Sequence, residues 1–97
     1  MPDNLGKQIN EELTRTTTLS SKLDTGRTPY MKWKLRLALH ILQDAKDALN
    51  DVKGDTRNSD WYAFAAFCLH LAIEKRKEVE ETVNKFGGPD NIEEVGA

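Results

Sequence analysis

The densest run of chemically capable side chains is residues 26–36, which read GRTPYMKWKLR. Arg27, Lys32, Lys34 and Arg36 supply four positive charges, Tyr30 and Trp33 stand between them, and no acid interrupts the run. Cations interleaved with aromatics can neutralise a phosphate and stack on a base. If the run opens a helix, the unpaired N–H groups and the helix dipole at that end favour an anion as well. Lys75, Arg76 and Lys77 form a second basic run. Helices packed antiparallel about residues 53–59 would bring it level with Lys32, Lys34 and Arg36. The candidate anion or nucleotide site is therefore Arg27, Tyr30, Lys32, Trp33, Lys34 and Arg36, with Lys75, Arg76 and Lys77 added across the pair. The competing reading is a solvated face on which Glu74, Glu78, Glu80 and Glu81 balance the charge through pairs four residues apart.

Metal chemistry has weaker material. His40 with Asp44, and His70 with Glu74, each place two potential ligands one helical turn apart. Both histidines point away from the main apolar stripe of their helix, so a shared site would need a contact between subunits. The Glu-x-x-His pairs of di-iron helical bundles are absent, and no metal or other cofactor is expected. The stretch from Asp51 to Asp55 lacks the ligand spacing of a calcium loop. Cys68 and His70 project from opposite sides of a helix and cannot form a nucleophile–base pair. A cysteine on an apolar stripe serves as a small hydrophobe. Arg36 and His40 resemble the Arg–His signature of HEPN-type helical ribonucleases, but at a shorter spacing and without that family's further helices, so no nuclease activity is expected. No Gly-rich phosphate loop, paired catalytic carboxylates or zinc-protease motif occurs. No catalytic residue is assigned.

The elements that must position these groups are helical. Leu5, Ile9, Leu13, Leu19 and Leu23 recur on one stripe, with Thr16 among them, which predicts an amphipathic helix over 4–23. Its Thr- and Ser-rich stretch, residues 14–21, lowers helix propensity and invites a bend. Thr28 and Pro29 signal the next helix start, over 29–53, since Thr can cap and Pro tolerates the first helical position. Met31, Leu35, Ala38, Leu39, Leu42, Ala45, Leu49 and Val52 then mark its core face. Asn58 or Ser59 can cap a third helix over 60–86, which Gly87, Gly88 and Pro89 end. Residues 87–97, with Asp90, Glu93, Glu94 and no base, read as a flexible acidic tail. The expected fold is all-α: three helices built on a long antiparallel hairpin of the second and third, in a single domain over 1–86.

The third helix breaks the pattern. Residues 61–73 are apolar on nearly every side, and such a helix must be surrounded. Two other helices cover only part of its circumference, so Phe67, Leu69 or Ile73 should face water unless a partner covers them. Trp33 and Leu37 lie off the main stripe of the second helix. Trp61, Phe64, Phe67, Leu69, Ile73, Trp33 and Leu37 are therefore the candidate oligomer interface, with a dimer or higher bundle completing the core.

Composition agrees with a folded binding protein and argues against several other classes. The chain has 97 residues, 14 Lys and Arg against 16 Asp and Glu, and a net charge of −2. That balance disfavours a strongly basic nucleic-acid binder and an acidic nucleic-acid mimic. One cysteine excludes a disulfide framework within the chain, and no apolar run approaches the roughly 20 residues of a membrane span. No export signal is evident, so a cytoplasmic location without membrane contact is expected. The expected function is a non-enzymatic protein–protein interaction module, an adaptor, inhibitor or small accessory protein. Its partners are itself and another protein. Small inhibitors from phage or mobile elements have this profile of size and class. The alternative is a binder of nucleotide or nucleic-acid phosphates through the basic and aromatic run.

Overall fold

In the computed structural model, residues 4–51 and 59–94 are described. They form three α-helices, α1 (Leu5–Ser21), α2 (Pro29–Asp51) and α3 (Ser59–Lys85), followed by a single 3₁₀ turn, Pro89–Asn91. No strand occurs among the described residues. The link between α2 and α3, the expected end of the second helix at Val52 and Lys53, and the capping position Asn58 lie outside the described residues.

α1 runs unbroken through its Thr- and Ser-rich half. Three of its six hydroxyls there are satisfied within the helix. Thr14 and Ser21 donate to the carbonyls of Asn10 and Thr18, and Thr16 donates to the Glu12 carboxylate. A tight turn follows, in which the Asp24 side chain accepts from the Gly26 N–H at 2.7 Å and the Asp24 carbonyl accepts from the Arg27 and Thr28 N–H groups. The Thr28 hydroxyl also donates to that carbonyl. It therefore serves the turn and not the cap of α2.

α2 and α3 run antiparallel. Lys34 meets Glu78 at 2.7 Å near one end, while Asp44 lies close enough to Cys68 to act on its thiol further along. The seam between them is lined by small side chains. Ala38 and Ala45 of α2 and Ala65 and Ala72 of α3 are fully buried, and Leu42 and Cys68 fill the space between. Alanines on facing ridges let two helices approach toward the short end of the usual interaxial range, about 8 Å. Phe64 and Phe67 lie about 80° or more around α3 from Ala65 and Ala72, and so stay outside the seam.

α1 covers one side of this pair. Leu5 and Ile9 join the alanine-rich cluster, and Leu19 and Leu23 join a second cluster with Met31, Leu35, Val79 and Val83. Leu69 is 7 % exposed inside the first cluster, and Ile73 is half-buried against it. The expectation that Leu69 faces a partner is thus corrected: the chain's own fold covers it.

The segment after α3 also departs from expectation. Gly87 takes φ +87°, and Gly87 and Gly88 donate to the carbonyls of Asn84 and Val83, a C-terminal cap that a side chain would strain. Residues 88–94 then turn back across the start of α2 in place of leaving as a flexible tail. Ile92 is buried in the second cluster, the Glu94 N–H donates to the Arg27 carbonyl, and Arg27 donates to the Asp90 carbonyl. Burial of Ile92 and these long-range hydrogen bonds order a segment that reads as polar tail. Residues 95–97 lie outside the described part.

Candidate interaction surface

Two regions carry the side chains singled out by sequence: the basic end around the start of α2, and the flank of α2 and α3 that α1 leaves bare. At the basic end the cations are largely engaged within the molecule. Lys32 donates to the Ser20 carbonyl at 2.7 Å, joining α2 to the end of α1. Lys34 pairs with Glu78 and also lies 5.5 Å from the centre of the Tyr30 ring. The carboxylate raises the ammonium above its ordinary value, and Lys34 in turn lowers the Glu78 carboxyl below its own. Arg27 is held by Asp90.

Arg76, expected among the anion-binding cations, is buried instead. Its guanidinium donates to Glu12, which is itself 1 % exposed, and to Glu80 at 3.2 Å. The Glu12 contact, opposed by desolvation and helped by Glu80, holds Arg76 above its already high ordinary value. Thr16 completes the network by donating to Glu12. No buried side-chain polar atom among the described residues lacks a partner. Arg76 therefore fastens α1 to α3 and is withdrawn from any external ligand.

The N-terminus of α2 is occupied as well. Both oxygens of the Glu94 carboxylate accept from its first free donors, the N–H groups of Tyr30 and Met31, at 2.7 and 2.8 Å. An anion does sit where the dipole favours one, and it belongs to the same chain. Tyr30, Met31, Lys34, Glu78 and Glu94 line a shallow cavity of about 220 Å³ beside it. Of the nine expected binding residues, Arg36, Lys77, Tyr30 and Trp33 are exposed, and Lys75 is half-buried. Nothing in the sequence signalled the long-range cap, since Glu94 lies 64 residues from Tyr30.

The bare flank is aromatic. Trp61, Phe64 and Phe67 of α3 are exposed by 51, 44 and 61 %, and Trp61 meets Phe64 edge-on with centroids 6.5 Å apart. On α2, Trp33 is 54 % exposed and stacks on Tyr30 at 5.9 Å. Leu37, Ile41 and Leu71 are half-buried between the two aromatic groups. All of these except Trp61 lie on the flanks turned away from Lys32 and Arg76, the residues that meet α1, as 100° per residue requires. Together these side chains leave a band of apolar area exposed on the α2–α3 pair.

The remaining candidates are placed simply. His40, Asp44, His70 and Glu74 are exposed, and no group of three His, Cys, Asp or Glu among the described residues could hold a metal ion. Cys68 is buried, and desolvation together with the Asp44 charge raises its thiol pKa, which disfavours the reactive thiolate. No described helix is long and apolar enough to cross a membrane. No known protein family, curated protein or solved structure matches the chain.

Proposed function

We propose that the protein is a non-enzymatic interaction module, an adaptor, inhibitor or small accessory protein, that works as a homo-oligomer in the cytoplasm. The supporting observation is the bare aromatic flank. Phe64 and Phe67 stand exposed on a helix whose opposite side is fully packed. Exposed rings lose their hydration penalty only against another apolar surface, at roughly 25 cal/mol for each Å² covered. A second copy completing a larger helical bundle supplies such a surface.

The phosphate-binding alternative has less support. Its helix terminus already holds Glu94, and Arg27, Lys32, Lys34 and Arg76 all have partners within the chain. Native mass spectrometry of the full chain, purified at low salt, tests both readings. A bare multimer that Phe67→Glu converts to monomer supports the module. A monomer at every concentration overturns the oligomer, and retained mass of a nucleotide or oligonucleotide overturns the assignment in favour of phosphate binding.

A further inference from the structure

Residues 88–94 meet the helices in the manner of a bound peptide. Ile92 is extended, at φ −108° and ψ 134°, a conformation in which side chains two apart point the same way. Ile92 packs among Leu23, Met31, Leu35, Val79 and Val83, Glu93 is exposed, and Glu94 returns to accept from the Tyr30 and Met31 N–H groups. The backbone is held by the Glu94 N–H, which donates to the Arg27 carbonyl at 2.8 Å. An apolar hole, two helix N–H donors and a loop carbonyl thus read three consecutive residues as aliphatic, any, acid.

The hold is local. Among residues 88–94 only Ile92 is buried, and Asp90, Asn91 and Glu93 are exposed. The segment joins α3 through Gly87 and Gly88, both at positive φ, and Gly88 has nothing within 4 Å of where a side chain would begin. Neither the alanine-rich cluster nor the Glu12–Arg76 pair that fastens α1 includes any of these residues, so the helices keep those contacts when the segment leaves. It also leaves its groove partly empty, since the cavity of about 220 Å³ beside Glu94 is lined by Met31, Val79 and Thr82.

We infer that residues 88–94 are a detachable strap that hinges at Gly87 and Gly88 and blocks a groove for an extended peptide of a partner protein, one carrying an aliphatic residue two positions before a carboxylate. The partner's chemistry is that of the segment it replaces, and the unfilled cavity gives a larger side chain room that the strap does not use. Displacement is a competition. A short tether holds the strap at an effective concentration of about 1 mM, and closure lowers a partner's apparent affinity by the fraction of chains that are open. The groove lies between the start of α2 and the end of α3, away from Phe64 and Phe67. It therefore goes beyond the oligomeric reading and does not need a second copy.

A synthetic peptide copying residues 88–94, capped at both ends, tests the groove by amide NMR. The receptors are the wild-type full chain and the full chain opened by Ile92→Ser with Glu94→Ala. The peptide is expected to shift the Tyr30 and Met31 amides of the opened variant at about millimolar concentration, and to bind the wild-type chain about tenfold more weakly because its own strap competes. The same peptide carrying Ile92→Ser or Glu94→Ala should shift neither amide. No shift in the folded opened variant overturns the groove, and equal affinity for the two chains overturns the blocking role. Loss of the helical signal in the opened variant makes the segment part of the core and overturns its detachment. Amide exchange in the wild-type chain checks detachment without any substitution: Tyr30, Met31 and Glu94 should exchange together and faster than the interior of α2. Exchange of these amides only at the rate of global unfolding overturns the strap. Native mass of the same samples reports the oligomer separately, so a monomer that binds the peptide supports the strap while overturning the aromatic-flank reading.

Discussion

The two flanks of the α2–α3 pair reverse the usual relation between polarity and burial. On the flank that α1 covers, a carboxylate and a guanidinium are nearly fully buried, with Thr16 beside them. On the flank left bare, phenylalanine and tryptophan face solvent. Side-chain hydropathy alone therefore does not decide what is inside this molecule. What packs over each position does. Glu12 and Arg76 can be buried because each supplies the other's countercharge and Glu80 and Thr16 take up further hydrogen-bonding capacity. Phe67 does not enter the seam because, two residues beyond buried Ala65, it projects from the opposite side of α3. The polar flank gives α1 a defined position along α3, and the apolar flank stays exposed to solvent.

The largest effects come from breaking the buried side of this comparison. Arg76→Ala strands the Glu12 carboxylate and is expected to destabilise the fold by about 3–5 kcal/mol, measured by urea unfolding. The double change Glu12→Leu with Arg76→Met removes both charges and should recover most of that loss. If the double variant is as unstable as the single, the buried pair contributes something other than mutual neutralisation.

Leu69 and Phe67, two residues apart on α3, sharpen the contrast. Leu69→Ala opens a cavity in the alanine-rich cluster and should cost about 3 kcal/mol. Phe67→Ala, measured at a concentration where the chain is monomeric, should stay within about 0.5 kcal/mol of wild type while weakening assembly. Equal losses in the two variants would mean that Phe67 is packed within the monomer, and the bare flank would no longer be a docking surface.

The sequence makes the three helices legible because their stripes of Leu, Ile and Ala follow the helical period, and because Gly26, Pro29 and Gly87 punctuate them. It also exposes the excess of apolar residues on α3. It does not show which of them face outward, since that depends on where α1 lies. Leu69 falls on the helical stripe of Ala65, Cys68 and Ala72 and Phe67 on the opposite side, but the apolar run around them blurs that stripe in the chain. Arg76 reads as one of three consecutive cations, and its burial follows from Glu12 meeting it across α1 and α3. Glu94 sits among tail-like acids and becomes a helix cap only because Ile92 anchors the segment. Local patterning thus reports the elements, whereas the roles of charged residues were set by partners about 60 residues away.

The Glu94 cap tests a second polar contact that the fold makes for itself. Glu94→Ala frees the Tyr30 and Met31 N–H groups and should cost about 1 kcal/mol, with faster amide exchange confined to the first turn of α2. Glu94→Gln keeps an acceptor and should lose less. Unchanged exchange at both amides in Glu94→Ala would show that the cap does not hold the segment. If the same variant gained affinity for inorganic phosphate, the helix terminus would be a latent anion site and the basic end would regain its functional reading.

The smallest effect belongs to the Lys34–Glu78 pair, which joins α2 to α3 at the surface of the bare flank. Lys34 lowers the Glu78 carboxyl in the folded chain through a hydrogen bond and its charge, so this contact stabilises the fold above the unfolded carboxyl value, near 4.5. The contribution disappears as pH falls through the lowered folded value, where Glu78 takes up a proton. At the opposite extreme the Lys34 pKa is raised above 10.5, so its contribution holds below that value and is lost as pH rises through the folded one. Glu78 is exposed, and screening keeps the acid-side effect small. Glu78→Gln should flatten the slope of unfolding midpoint against pH below 4.5 by a detectable but minor amount and leave the neutral-pH fold intact. A slope identical to wild type would assign that acid sensitivity elsewhere.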